Sequence, residues 1–223
     1  MPWIRFGLIP QFPMEVFLME NMKDAIHREE NVYTASQQPE TGKEYLELVY
    51  PLPLHTSQHK LAIRVPDLLS PSECNFLRDL AIQHYDAGEK WGKFLDFTYI
   101  KVEEAEEIYR KIAHEIIQNN PWQLSLSGIY EHFCVIRYPE GKGQRMHTDF
   151  NPAELDPSKL SFVARLSPDN EYAGGTLHIA DEPFHLKQGE GIFFPSYMIH
   201  HVSRVTSGER WVLAGWASGP SFV

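Results

Sequence analysis

Residues 160–217 read LSFVARLSPDNEYAGGTLHIADEPFHLKQGEGIFFPSYMIHHVSRVTSGERWVLAGWA. Short apolar runs rich in β-branched and aromatic residues alternate here with Gly, Pro, Asn and Asp. That is the texture of short strands joined by tight turns, not of helices. The same texture reaches back to residue 131. Strands are expected near Glu131–Tyr138, Arg145–Asp149, Leu160–Leu166, Thr176–Ala180, Gly191–Phe194, His201–Val205 and Trp211–Ala217. Many short strands at regular spacing indicate a sandwich, barrel or jelly roll.

The residues upstream are of another kind. Ser70-Pro71-Ser72-Glu73 sets a helix start, with Ser at the N-cap, Pro in the first turn and Glu three residues after the cap. Phe76, Leu77, Leu80 and Ala81 form its apolar stripe, and it should stop near Ala87-Gly88. A second helix is expected from about Glu103 to Asn119. Its buried face is Ala105, Ile108, Ile112, Ala113 and Ile116, and its first turn is loaded with Glu103, Glu104, Glu106 and Glu107. Trp91, Phe94, Phe97 and Tyr99, between the helices, read as ordinary core rather than as a substrate lid. Glu20 to Thr41 is polar without a sustained period and reads as loop or arm. Glu44–Tyr50 and Leu61–Val65 are β-like. The expected fold class is α+β, mainly β: a jelly-roll core over 128–223, two supporting helices within 66–121, and an extension over 1–60 with one or two strands. All are expected in a single domain, 1–223.

The 223-residue chain has 43% hydrophobic and 22% charged residues, which excludes a disordered, collagenous or coiled-coil protein. Twenty Lys and Arg against thirty Asp and Glu leave a formal charge of −10. That mean field disfavours a nucleic-acid partner. Cys74 and Cys134 are too few for a disulfide framework, so a reducing, cytoplasmic compartment is expected. No segment reads as a membrane span or a signal peptide, and no membrane partner is expected.

Two His-x-Asp triplets stand out, His84-Tyr85-Asp86 and His147-Thr148-Asp149. On a helix, residues i and i+2 point to nearly opposite sides; on a strand they point the same way. His84 and Asp86 fall at the end of the first expected helix and read as surface or capping residues. His147 and Asp149 fall on an expected strand and can converge on one ion. His27-Arg28-Glu29 is a third look-alike in the polar arm, without a rigid frame. A third ligand for His147 and Asp149 is available from His200 or His201, directly after the apolar run GIFFPS. Two His and one carboxylate form the facial triad of non-haem Fe(II) oxygenases, with positions left open for a cosubstrate and O₂.

Arg210 lies ten residues after His200, beside Trp211, Val212, Leu213 and Ala214. A charge in such company is half buried and needs a partner. The far carboxylate of 2-oxoglutarate is one candidate partner, because a planar guanidinium matches a carboxylate in bidentate fashion.

Taken together, the segment Tyr138 to Trp216 resembles the Fe(II)/2-oxoglutarate-dependent dioxygenases of the prolyl-4-hydroxylase-like branch. The resemblance rests on Arg137-Tyr138-Pro139 with Gly141, on His147-Thr148-Asp149, on Leu160 to Ser167, and on Tyr172 through Leu177. It continues through Gly189 to Ser196, His200-His201-Val202, and Val205 to Arg210. It implies a double-stranded β-helix fold with Fe(II), 2-oxoglutarate and O₂ as cofactor and cosubstrates. It implies His147, Asp149 and His200 as the iron ligands, with His200 preferred over His201 because the ligand stands two before Val202 and ten before Arg210. Arg210 would bind the 2-oxoglutarate C5 carboxylate, and Tyr138 would offer it a hydroxyl. Arg165 departs from the family, which usually has an aromatic residue there. If it faces inward with Ser161 and Val163 it is a second cation for 2-oxoglutarate or substrate; if outward, a surface arginine. Arg145 shares parity with His147 and reads as a rim residue.

The implied activity is hydroxylation of an unactivated C–H bond. Asp149 supports this over halogenation, which needs an open ligand position for halide. The resemblance points to a prolyl or other amino-acid side chain in a peptide, with a free amino acid or small metabolite as the alternative substrate. A non-catalytic metal-binding jelly roll is the rival from another class, and Arg210 separates the two.

Overall fold

The computed structural model describes residues 4–5, 33–37, 44–48, 60–92 and 95–220. The chain divides into two compact units, residues 6–59 and residues 1–5 with 60–223. The described part of the smaller unit is an antiparallel hairpin of β2 (Tyr33–Gln37) and β3 (Glu44–Leu48). β3 falls in the expected β-like run, and β2 falls within the stretch read as loop.

The larger unit begins with β1 (Ile4–Arg5) and resumes with β4 (Ile63–Val65), α1 (Pro71–Asp86) and β5 (Asp96–Lys101). A 3-10 turn (Val102–Glu104) leads to α2 (Glu106–Gln118), then β6 (Gly128–Ile129), β7 (His132–Tyr138), β8 (Gln144–His147) and β9 (Ser158–Arg165). β10 (Tyr172–Gly174), β11 (Leu177–Ile179), β12 (Glu182–Phe184), β13 (Gly191–Pro195), β14 (His200–Val202), β15 (Val205–Gly208) and β16 (Arg210–Ser218) complete it. One sheet runs β1-β6-β16-β9-β13-β4, with β7 paired to β16 and β5 to β7. A smaller sheet runs β12-β11-β14-β8, and β10 pairs with β15. This is the expected mainly-β jelly roll with two helices.

The central strands of the large sheet are buried on both faces, which is why β13 and most of β16 read as continuous apolar runs rather than alternating ones, while β9 buries Ser158, Lys159 and Ser161 among its apolar residues. On one face Tyr109 of α2 stacks on Phe133 at 3.7 Å between ring centroids. Phe133 meets Phe162 edge-on, and Phe162 meets Phe193. Gly215 makes room for this row, since a Cβ there would lie 2.4 Å from the Phe162 ring. The other face packs Tyr138, Ile192, Phe194 and Val212 against Leu177, Ile179 and Val202 of the small sheet.

The α1 start forms as read. Ser70 Oγ accepts from the Glu73 N–H at 3.2 Å, and the Glu73 carboxylate accepts from the Ser70 N–H at 2.6 Å. Ser70→Ala should cost about 1 kcal/mol and lower the melting temperature by about 2–4 °C. A calorimetric scan of the variant checks this.

Three readings need correction. The second helix starts at Glu106, because Ala105 (φ −146°, ψ 44°) breaks the helical path. Glu103 and Glu104 therefore belong to the preceding turn, where the Glu104 carboxylate accepts from the Lys101 N–H. The expected strand His201–Val205 is two strands in different sheets, β14 and β15. The aromatic stretch between the helices carries a strand, β5: Trp91 and Tyr99 are exposed, and Phe97 lines a cavity.

Candidate metal centre

The cavity, of about 360 Å³, lies between the two sheets. Its walls include Ile136, Val163 and Val212 from the large sheet, and Phe97 and the part-exposed Tyr99 from β5. His147, Asp149 and His200 line it together, as do Tyr138 and Arg210.

The ligand atoms of His147, Asp149 and His200 lie within 4.8 Å of one another, the one such cluster of three among the described residues. His147 closes β8 and is the register partner of His200 on β14. Asp149 lies beyond the strand end, contrary to the expected strand Arg145–Asp149. The N–H groups of Asp149 and Phe150 both donate to the Ser196 carbonyl, which ties the chain to the β13–β14 connection just before His200. That turn, rather than strand alternation, brings the carboxylate onto the histidine pair.

Both imidazoles are set for metal binding by main-chain carbonyls. His147 Nδ1 donates to the Arg145 carbonyl at 2.8 Å, and His200 Nδ1 to the Met198 carbonyl at 3.0 Å. A carbonyl only accepts, so Nδ1 carries a proton in each ring, and in the neutral imidazole this leaves the Nε2 lone pair for a metal. His147 Nε2 is 3.5 Å from Asp149 Oδ1, and His200 Nε2 is 3.6 Å from Asp149 Oδ2. His200 is buried, and burial holds its pKa below the ordinary imidazole value, with Asp149 working in the opposite direction. A neutral imidazole is the ligand form. Ser161 Oγ donates to Asp149 Oδ2 at 2.7 Å and lies 2.9 Å from Ser196 Oγ, fixing the carboxylate from behind. Ser161→Ala should weaken Fe(II) binding by about 10–100-fold, read by competition with a metal-sensitive dye under anaerobic conditions.

Arg210 opens β16 opposite Tyr138 on β7, across the cavity from β14. It is 3% exposed, and its Nη1 is buried without a hydrogen-bond partner. The guanidinium carbon stands 5.0 Å from the Tyr138 ring centre. Burial raises the Tyr138 pKa, so the phenol keeps its proton. Gly175 (φ 61°) completes the channel, since a Cβ there would lie 2.8 Å from Arg210 Cδ. A buried cation with an unsatisfied N–H in the cavity of a His-Asp-His cluster fits a carboxylate-bearing chelator of the metal.

Arg165 is placed differently. Its Nε, Nη1 and Nη2 donate to the carbonyls of Ser167, Leu186 and Pro168, and Asp169 lies 3.2 Å from Nη1. Its guanidinium caps the Tyr172 ring in a small neighbouring cavity of about 120 Å³, which Arg210 also borders. Arg145 is exposed and contributes its carbonyl to His147. His201 points away from His200, as alternation requires. His84 is not a surface residue: it clamps α1 to Thr98 at 3.2 Å and to Glu104 at 2.8 Å. The expectations placed on Phe94 and on His27-Arg28-Glu29 lie outside the described residues.

The family model of the 2OG-Fe(II) oxygenase superfamily matches residues 133–218. A PKHD-type hydroxylase of Synechococcus sp. (strain CC9311) is 33% identical over 117 residues, covering 48% of this chain and 53% of that protein. A PKHD-type hydroxylase of Parvibaculum lavamentivorans is 39% identical over 85 residues, covering 36% of this chain and 38% of the other. The matches thus span about half, or less, of those relatives' length. Among solved structures, the viral collagen prolyl hydroxylase of Paramecium bursaria Chlorella virus-1 superposes with a TM-score of 0.60 at 20% identity, over 74% of this chain and 98% of that one. A Pseudomonas putida prolyl-4-hydroxylase gives 0.61 at 19% identity, over 73% and 95%. At such identities the superpositions speak for the fold.

Proposed function

We propose, from the match of residues 133–218 to the family model of the 2OG-Fe(II) oxygenase superfamily, that this chain is an Fe(II)- and 2-oxoglutarate-dependent hydroxylase acting on a prolyl or other amino-acid side chain of a peptide. The observation that carries the reading is Arg210, buried with an unpaired Nη1 in the cavity that holds the His-Asp-His cluster.

His147, Asp149 and His200 would hold the iron through two Nε2 atoms and one carboxylate oxygen. Bound there with 2-oxoglutarate, the metal would supply the O₂ activation needed to oxidise an unactivated C–H. Arg210 would receive the far carboxylate of the cosubstrate, and the neutral Tyr138 hydroxyl would donate to the same anion. Ser161 keeps Asp149 oriented. Ile136, Val163 and Val212 exclude water from the cavity, while Phe97, Tyr99 and Trp216 offer apolar surface to a substrate ring. Arg165 stays outside the cosubstrate set because its guanidinium is already satisfied by carbonyls. The two buried, unpaired thiols of Cys74 and Cys134 favour a reducing, cytoplasmic location. Among the described residues no helix is long and apolar enough to cross a membrane.

The test is succinate release from 2-oxoglutarate by anaerobically iron-loaded protein after O₂ is admitted, with proline-containing peptides or free amino acids added separately. Stimulation by peptides is the expected result. Stimulation by free amino acids alone would replace the peptide with a small metabolite as substrate. No turnover together with no calorimetric binding of 2-oxoglutarate would overturn the enzyme reading in favour of a metal-binding module.

A further inference from the structure

The small sheet has a second histidine pair, on the face turned away from the cavity. His178 of β11 and His201 of β14 are direct cross-strand partners. Their neighbours Leu177, Ile179, His200 and Val202 point inward and are buried, so alternation sends these two rings outward together. The ring centroids are 4.5 Å apart, with the planes inclined at 53°. Among the described residues neither ring has a hydrogen-bond partner; their one ring contact is with each other.

Two part-exposed imidazoles set side by side without a protein hydrogen bond leave their ring nitrogens available to a ligand. If both were protonated they would repel, so the pair favours a shared cation over two protons. Directly opposed residues on antiparallel strands have Cβ atoms about 4.5–5.5 Å apart. From there both rings reach one ion at an imidazole–metal distance of about 2.0–2.1 Å. Asp181, in the β11–β12 turn, and His185 are close enough to act electrostatically on His178. Neither joins the pair in a cluster of three ligand atoms, so the two imidazoles would supply the protein ligands and water the remainder.

We infer that His178 and His201 form a second, surface metal site for a late first-row divalent ion, Cu(II), Ni(II) or Zn(II), separate from the His147-Asp149-His200 centre. Imidazole nitrogen suits these ions, and with two strong ligands the order of affinity follows the general one, with Cu(II) highest. The site is anchored on the strand that carries His200, so an ion on the outer face and an ion in the cavity are held by adjacent residues of β14.

The inference does not depend on the enzyme reading, and the test uses metal binding rather than turnover. Purified metal-free protein is titrated with Cu(II), and the complexes are examined by electron paramagnetic resonance and by bound-metal analysis. Wild type is expected to take up about two ions per chain, and H178N about one. The H147A/D149A variant should keep an ion whose spectrum shows coupling to two imidazole nitrogens. Adding H178N or H201Q to that variant should remove it. Circular dichroism of each variant separates loss of the site from loss of fold. Unchanged stoichiometry in folded H178N would overturn the inference. So would a folded H147A/D149A variant that binds no copper with imidazole coupling.

Discussion

Asp149→Ala is expected to strip Fe(II) from the protein and to lower iron-dependent 2-oxoglutarate turnover by more than about 1000-fold, beyond the 10–100-fold typical of residues that merely support a ligand. Each oxygen of Asp149 faces a different imidazole, so the carboxylate is the member that closes the cluster. Without it, two imidazoles remain, with no negative charge among the ligands to compensate a divalent ion. The matched controls are Asp86→Ala and His84→Ala, from the triplet of the same spelling on α1. Both should retain turnover. His84→Ala should nevertheless be less stable by about 1–2 kcal/mol, because it releases Thr98 and leaves Glu104 without its 2.8 Å partner. Iron content after anaerobic loading, succinate release and thermal melts of the three variants give the comparison. Iron-dependent turnover surviving in Asp149→Ala would mean that the centre is wrongly assigned.

Arg210→Met should raise the 2-oxoglutarate requirement by about 30-fold to several thousand-fold, the equivalent of the 2–5 kcal/mol lost when one partner of a buried charge pair is truncated. Arg210→Lys should recover little of this, since an ammonium does not reproduce the bidentate fork. The same substitution should act in the opposite sense on the protein without cosubstrate. There Arg210 is a buried cation with an unpaired Nη1, and an apolar side chain of similar volume removes that penalty. Wild type should therefore gain melting temperature on addition of 2-oxoglutarate, whereas Arg210→Met should melt at or above the ligand-free wild type and respond weakly. A 2-oxoglutarate-induced shift of the same size in both proteins would separate Arg210 from the cosubstrate.

The site was legible in the sequence where chemistry is scarce and spacing rigid. A His-x-Asp on β-like sequence, a later histidine behind a buried run and an arginine among apolar residues identify the cluster and its cation. The means of convergence were not legible. Asp149 leaves the strand and is held by the Ser196 carbonyl, a long-range main-chain contact with no local signal. Arg165 shows the same gap: its inward parity can be read, but the carbonyls of Ser167, Leu186 and Pro168 that absorb its charge cannot. Ser161 could have been found, since it shares parity with Val163 and its hydroxyl in an apolar strand must have a partner. In the fold, β5 is hidden because its aromatics have the look of ordinary core. β2 is hidden because its polar sequence carries no strand period. Nothing in the spelling HHVSRV marks the passage from one sheet to the other between β14 and β15.

The aromatic row from Tyr109 through Phe133 and Phe162 to Phe193 has a consequence for where the domain can be cut. The matched family segment starts at residue 133, but one face of its sheet is covered by α2. A fragment beginning there would present Phe133, Phe162 and Phe193 as one continuous greasy surface, and would lose the β5 edge partner of β7. An apolar surface of that kind beside an open strand edge drives self-association. The matched segment and the packed unit therefore have different boundaries. Residues 60–132 supply the helix and the strand that cover and pair with the β-structure, and a soluble fragment should begin no later than β4.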